Sequence, residues 1–393
     1  SLLETRDWLM ADGATGTNLF DMGLTSGDAP ELWNVDEPAK IKALYQIAVD
    51  AGSDIFLTNS FGGNASRLKL HDAQDRVREL NRIAAELGRE VADKAGRKVI
   101  VAGSVGPTGD IMEPVGSLSH ADAVEMFHEQ AEGLKEGGAD VLWLETISAP
   151  EEFRAAAEGF ALAGMDWCGT MSFDTAGRTM MGVTSADMVK LVEDIPNPPM
   201  GFGANCGTGS SDLLRTVLGF SAQGTERPII SKGNAGIPKY VDGSIRYDGT
   251  PELMGDYAVM ARDSGAKIIG GCCGTKFEHL IAMREALETR ERSERPSLEL
   301  ISEKLGAFSS AKDGTEASGE EEAPRRRRRR RRCGLPPLLP ASPPSPSPLP
   351  PLPAPPSRNS EAARTCSVRA NGQRVKISAV STPYSAASAS GPG

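Results

Sequence analysis

The chain has 393 residues, six cysteines and a formal net charge of -10. The cysteines form no regular framework, which excludes a disulfide-stapled secreted scaffold and points to a reduced, cytoplasmic protein. Residues 306–393 hold 14 Lys+Arg against 6 Asp+Glu, so the body carries -18 and the tail +8; an acidic body argues against nucleic-acid binding by the folded part. No apolar run is long enough to span a bilayer, and the first residues, Ser1 to Asp7, lack the basic start and apolar core of a signal peptide.

Taken in order, residues 8–289 alternate strand-like and helix-like segments joined by short glycine-bearing connections. Short apolar runs bounded by glycine or charge read as buried strands. They fall at Trp8 to Gly13, Asp54 to Asn59, Lys98 to Gly103, Asp140 to Glu145, Trp167 to Phe173, Met200 to Cys206, Pro228 to Lys232 and Lys267 to Cys272. Helical periodicity follows each, clearest at Pro38 to Asp50, Ala73 to Lys94, Ala121 to Glu136 and Pro251 to Asp263. Eight such pairs predict an α/β fold, a (β/α)8 TIM barrel over 1–295, because a doubly wound sheet needs fewer strands or a second domain. A linker is expected over 296–324 and an Arg/Pro-rich tail over 325–393. Arg325 to Arg332 are consecutive arginines, and 15 of the 27 prolines fall between Pro324 and Pro392. Such a composition cannot bury a core and reads as a disordered C-terminal tail. An arginine run can bind nucleic acid or an anionic membrane. The stronger reading gives the tail no part in the barrel's chemistry, and GC-rich Arg and Pro codons suggest an out-of-frame read.

Active sites of this fold lie at the C-terminal ends of the strands. Two of those ends carry cysteines among glycines: Cys206 in Gly203-Ala204-Asn205-Cys206-Gly207, and the pair Cys272-Cys273 in Gly270-Gly271-Cys272-Cys273-Gly274-Thr275. Neighbouring side chains of a regular strand face opposite ways, so the pair can reach one ion only where the backbone leaves the pleat, which glycine permits. Three thiolates with one open position would make a catalytic zinc site. The separation of 66 positions from Cys206 to Cys272 excludes a zinc finger. The alternative is three small buried hydrophobes, which is the reading adopted for Cys168 inside its apolar run. Asp12 and Glu145 each follow an apolar run and would place a carboxylate in the mouth, as general acid and base or as a seat for a substrate ammonium. His71, His120, His128 and His279 all fall on helical patterns, so a His-rich hydrolytic zinc site is disfavoured. An all-thiolate site is better suited to binding and deprotonating a substrate thiol.

The segments Asp12-Gly13-Ala14-Thr15-Gly16-Thr17, Thr58-Asn59-Ser60-Phe61-Gly62-Gly63, Gly103-Ser104-Val105-Gly106-Pro107-Thr108, Leu144-Glu145-Thr146 and the two cysteine motifs occur in this order between about Trp8 and about Leu287. Together they resemble the zinc-dependent homocysteine S-methyltransferases, and most of all the bacterial branch named for betaine. The resemblance implies a TIM barrel and Zn2+ held by Cys206, Cys272 and Cys273. It implies homocysteine sulfur as the additional ligand, with Asp12 and Glu145 facing the amino group. It also implies methyl transfer to homocysteine, giving methionine, with betaine as donor and dimethylglycine as product. A quaternary ammonium calls for aromatic faces, for which Trp33 and Phe61 are the candidates. Gly62 and Thr146 stand where the animal betaine enzymes carry tyrosines. Gly233 to Pro238 is similar to a loop of the cobalamin-dependent methionine synthases, which makes Asn234 a candidate neighbour of zinc. S-methylmethionine or protein-delivered methylcobalamin are the alternative donors. A zinc hydrolase and a non-enzymatic binding protein are the alternatives of class.

Overall fold

The structure, a computed structural model, describes residues 2–241 and 244–312, with the side chains of 239–246 left out. The Arg/Pro-rich tail and the second half of the expected linker lie outside the described residues.

Eight parallel strands form the barrel: β1 (Leu9–Met10), β2 (Ile55–Leu57), β3 (Ile100–Val105), β4 (Val141–Ile147), β5 (Trp167–Met171), β6 (Gly201–Cys206), β7 (Ile229–Gly233) and, after a hairpin of β8 (Pro238–Val241) and β9 (Ser244–Tyr247), β10 (Ala266–Gly271). They pair in the order β1-β10-β7-β6-β5-β4-β3-β2. Two carboxylates stitch β1 to β2. Met10 N donates to Asp54 Oδ2 at 3.0 Å, Leu57 N donates to Asp12 Oδ2 at 2.8 Å, and Asp54 N donates to Met10 O at 2.7 Å. The TIM-barrel expectation holds, with all eight strands at the expected places to within a few residues.

Strand parity sorts the side chains. Leu9, Ala11, Ile55, Leu57, Ala102, Trp143, Cys168, Ile230 and Ile268 pack together as the barrel's interior. The residues between them, such as Leu142, Leu144, Phe202 and Ile269, face the helices and build the main core. Cys168 is therefore packing, as expected, and burial pushes its thiol up to about 12. Two residues on from the interior apolar layer the same parity brings Ser104, Glu145, Thr170 and Lys232 inward at the C-terminal ends. Asn205 pairs in register with Lys232 and joins them. Along β3, β4, β5 and β7 the interior thus changes from hydrocarbon to a polar cap in one step.

Helices begin close to where the periodicity places them, at Pro38–Asp50, His120–Glu136 and Pro251–Asp263; the long one runs Val77–Asp93, because a 3-10 turn at Gln74–Arg76 takes its expected start. The helix Leu298–Leu305 corrects the linker expectation over 296–324. Ser297 caps it by accepting from Leu300 N, and Ile301 and Leu305 are buried in the main core. Beyond it Phe308 packs on that core, beneath the Arg215 guanidinium 4.7 Å from its ring centroid. An apolar stripe of two residues between charges, following Pro296, is too short to stand out as periodic. None of the helices in the described residues is long and apolar enough to cross a membrane.

Candidate metal centre and substrate pocket

β6 and β10 deliver the three cysteines to one point. The Sγ atoms of Cys206, Cys272 and Cys273 lie within 4.8 Å of one another, and all three residues are half-buried at the mouth of the barrel. The backbone is bent to achieve this. Cys206 has φ of 61°, the left-handed region that a non-glycine residue occupies at a cost of order 1–3 kcal/mol. Cys272 continues the β10 ladder, its N donating to Gly233 O at 2.7 Å, and the chain then turns through Gly274 at φ of 78°. A Cβ on Gly271 would come within 2.3 Å of the Thr275 side chain, and one on Gly274 within 2.4 Å of Tyr247 Cβ. Glycine is required at both, which is why the cysteine pair is walled by them.

Two asparagines tie the cysteine loops together. Asn205 Oδ1 accepts from Thr146 N at 2.9 Å and from Thr170 Oγ1 at 2.7 Å; its Nδ2 donates to Thr146 Oγ1 at 2.8 Å and lies 3.8 Å from Cys272 Sγ. Thr146 itself has φ of 64°, an outlier for a β-branched residue. Asn234 accepts from Cys273 N at 3.1 Å and donates to Gly207 O at 2.9 Å. Its amide joins the backbone beside Cys206 to the backbone at Cys273, so both ends of its side chain are engaged.

The thiols share charge in this arrangement. Cys273 is held well below the ordinary thiol value by hydrogen bonds from Cys206 and Cys272 and from the Tyr247 hydroxyl. Cys206 is pushed up by its bonds to Cys272 and Cys273. One thiolate accepting from two thiols is the protonated counterpart of three thiolates around a cation. A tetrahedral zinc–thiolate site places sulfurs about 3.8 Å apart, from Zn–S of about 2.3 Å. Three sulfurs within 4.8 Å of one another are a donor set of the kind and spacing such a cation takes.

Beside the thiols lies a buried charge group. Lys232, 2% exposed, donates to Asp12 Oδ1 at 2.6 Å, and Asp12 Oδ2 is taken by Leu57 N. Glu145 Oε1 accepts from Ser104 Oγ at 2.6 Å. Burial pushes the Glu145 carboxyl up to about 7 against the pull of Lys232, with Cys272 adding to the rise. Burial works against the charge on Lys232, but Asp12 and then Glu145 outweigh it and hold the ammonium above its ordinary value.

A family model described as Homocysteine S-methyltransferase matches residues 9–287. The chain belongs to the homocysteine S-methyltransferase family. Its likeness extends to the methionine synthase of Mycobacterium tuberculosis (strain H37Rv), 30% identical over an alignment of 307 positions that covers 73% of this chain and 25% of that protein. The methionine synthase of Mycobacterium leprae is 30% identical over 301 residues, 71% of this chain and 24% of its own. The chain therefore spans about a quarter of the length of these curated relatives. Among solved structures, the homocysteine methyltransferase MmuM of Escherichia coli in its metallated form superposes with a TM-score of 0.59 at 24% identity, over 72% of this chain and 97% of that one. At that identity the likeness is one of fold.

The remaining expected residues of this family member sit further out. Trp33 opens a short helix and packs on the second hydrophobic core, with Lys40 Nζ 4.3 Å from its ring centroid. Phe61 lies in the loop after β2; its carbonyl accepts from Gly106 N at 2.9 Å and the Arg67 guanidinium stands 5.9 Å from its ring centroid. Each ring thus already faces a cation. The histidines fall on helices as expected: His279 fastens the start of its helix, accepting from Lys276 N at 2.9 Å, and His120 and His128 lie on His120–Glu136. Lys232, Asn205 and Tyr247 are the site residues to which sequence reasoning gave no role.

Proposed function

We propose that the chain transfers a methyl group to the thiol of homocysteine, giving methionine, with zinc held by Cys206, Cys272 and Cys273 and betaine as the donor. The observation that carries this reading is the convergence of three thiols within 4.8 Å at the barrel mouth, next to the buried Asp12 and the half-buried Glu145. Zinc in that donor set would supply the positive charge that keeps a thiol, which titrates near about 8.5 when free, deprotonated at neutral pH. Family membership supports homocysteine as the acceptor.

The chain's own groups bind and orient. Glu145 receives the substrate ammonium: Ser104 occupies Oε1, and Oε2 takes no hydrogen bond among the described residues. Asp12 lies alongside, with both oxygens already engaged by Lys232 and Leu57. Held by its amino end, the substrate directs its sulfur, two methylenes away, toward the cysteine cluster. Orientation of this kind removes much of the entropic barrier to a two-substrate reaction. The new S–C bond forms on the methyl carbon as its bond to the donor nitrogen breaks; the electron pair stays on nitrogen, and dimethylglycine leaves. Support for betaine comes from the sequence resemblance; the Trp33 and Phe61 rings are faced by Lys40 and Arg67 and add none. Thiols that must stay reduced support a cytoplasmic setting for the reaction.

The test is methionine formation by the zinc-loaded chain with betaine, S-methylmethionine and methylcobalamin as separate donors. The reading expects turnover with betaine and its loss in Cys272→Ala. Turnover only with another donor would move the donor assignment and keep the acceptor. Zinc bound with no methionine from any donor would end the proposal.

A further inference from the structure

The family match ends at residue 287, and the chain beyond it returns to the metal centre. After the helix Leu298–Leu305 the backbone turns at Gly306, with φ of 100°. Residues 306–312 then lie along the start of the helix Ser210–Ala222, which directly follows the Cys206 turn. Ser211 Oγ donates to Gly306 O at 2.7 Å, and Arg215 Nη1 donates to Ser310 O at 2.8 Å while its guanidinium covers the Phe308 ring.

Asp212 is the hub of this contact. Its Oδ1 accepts from Arg215 Nη2 at 2.7 Å, and its Oδ2 accepts from Ser309 N and from Thr208 Oγ1, each at 3.0 Å. Asp212 is 7% exposed and Arg215 8%. A pair so deeply buried is stabilising only when further hydrogen bonds serve both partners, and residues 309 and 310 supply one to each. Residues 306–312 thus complete a polar unit of the barrel.

Thr208, in turn, is two residues from Cys206. Cys206 and Gly207 are both left-handed, at φ of 61° and 73°, and a cysteine keeps that conformation only where its surroundings over-determine it. Asn234 fixes one side of the turn: its Nδ2 donates to Gly207 O at 2.9 Å, and its backbone carbonyl accepts from Ser210 Oγ at 2.8 Å. The link Thr208–Asp212–Ser309 fixes the other.

We propose that residues 306–312 are a strap that positions the Cys206 thiol for metal, acting through Asp212 and Thr208, so that zinc affinity depends on the seated strap. The inference rests on the reading of the three thiols as zinc ligands. Thr208 and Asp212 are positioning residues, acting through the backbone at Cys206. Such coupling is reciprocal, so bound metal favours the seated strap as much as the strap favours metal.

The experiment measures the zinc affinity of the full chain by competition with a chromophoric chelator, together with the thiolate-to-metal charge-transfer band of the cobalt-substituted chain. Phe308→Ala unseats the strap, and Thr208→Val removes the hydroxyl while keeping the shape. Each is expected to weaken zinc about 5- to 150-fold, the usual span of coupling between sites, and to lower the cobalt band. Thr208→Ser, which keeps the hydroxyl, is expected to bind zinc as wild type does. Val91→Ala, in the separate second hydrophobic core, is expected to lower the urea midpoint and leave both metal readouts unchanged. Thr208→Val carries the comparison alone should Phe308→Ala fail to fold. Wild-type zinc affinity in a folded Phe308→Ala or Thr208→Val chain would overturn the inference and leave the zinc reading standing, as would equal weakening in Val91→Ala. A wild-type chain that takes up no zinc overturns the zinc reading itself, and this inference with it.

Discussion

Glu145→Gln should remove a specific pH dependence from the stability of the metal-free chain. Burial holds the Glu145 carboxyl near 7 in the folded state, opposed by Lys232 and helped by Cys272, whereas its ordinary value is 4.5. Between those two values the unfolded chain has released this proton and the folded chain has kept it. The folded state binds more protons in that window, so the contribution of this group is most favourable below pH 4.5, declines as pH rises to about 7, and is level above. The full gap corresponds to about 3 kcal/mol, and the half-buried side chain trims it to about 2–3 kcal/mol. Urea unfolding of wild type and Glu145→Gln at intervals from below the lower value to above the upper one isolates it, because titrations not coupled to Glu145 cancel in the difference. The expected difference curve falls by that amount across the window in favour of the variant. A difference that does not vary with pH would refute the assignment of burial as the cause.

Three further outcomes follow from the packing around the thiols and the C-terminal helix. Asn205→Ala removes the acceptor of Thr146 N and Thr170 Oγ1 and should cost about 2–4 kcal/mol by urea unfolding; unchanged stability would mean that the left-handed turns at Thr146 and Cys206 hold themselves. Gly274→Ala forces a methyl group toward Tyr247 at a residue with positive φ, so metal analysis after dialysis should show less than one zinc per chain while circular dichroism keeps the barrel. Ile301→Ala, at a site with no exposure, should cost about 2–5 kcal/mol, and a loss under about 0.5 kcal/mol would place the helix Leu298–Leu305 outside the cooperative unit.

How far the site could be read from sequence depended on what each residue does to the local pattern. Cys206, Cys272 and Cys273 were legible because glycines interrupt apolar strands beside them, and the barrel fold puts all strand ends on one rim. Glu145 was legible for the same reason, as a charge directly after Val141-Leu142-Trp143-Leu144. Lys232 carried an equivalent signal, a charge two places after an apolar residue in a buried strand, yet it looked like the strand's last residue because parity is invisible until the register is known. Tyr247 belongs to a hairpin whose signal was also present: the Asp242-Gly243 dipeptide between Lys239-Tyr240-Val241 and Ser244-Ile245-Arg246 is a strong turn sequence, obscured by Pro238 at the strand start. Trp33 and Phe61 show the opposite case. Their positions after strands could be read, but the direction of a loop aromatic depends on its neighbours, and here Lys40 and Arg67 face the rings.

The central claim is that one thiol cluster holds both zinc and the acceptor thiol's binding site, and calorimetric titration of homocysteine into the metal-free and the zinc-loaded chain tests it most directly. The account predicts binding to the zinc-loaded wild type, at least about tenfold weaker binding without metal, the gap for about 1.4 kcal/mol, and neither zinc nor homocysteine retained by Cys272→Ser. Equal homocysteine binding with and without zinc, or a Cys272→Ser chain that holds both as wild type does, would contradict it.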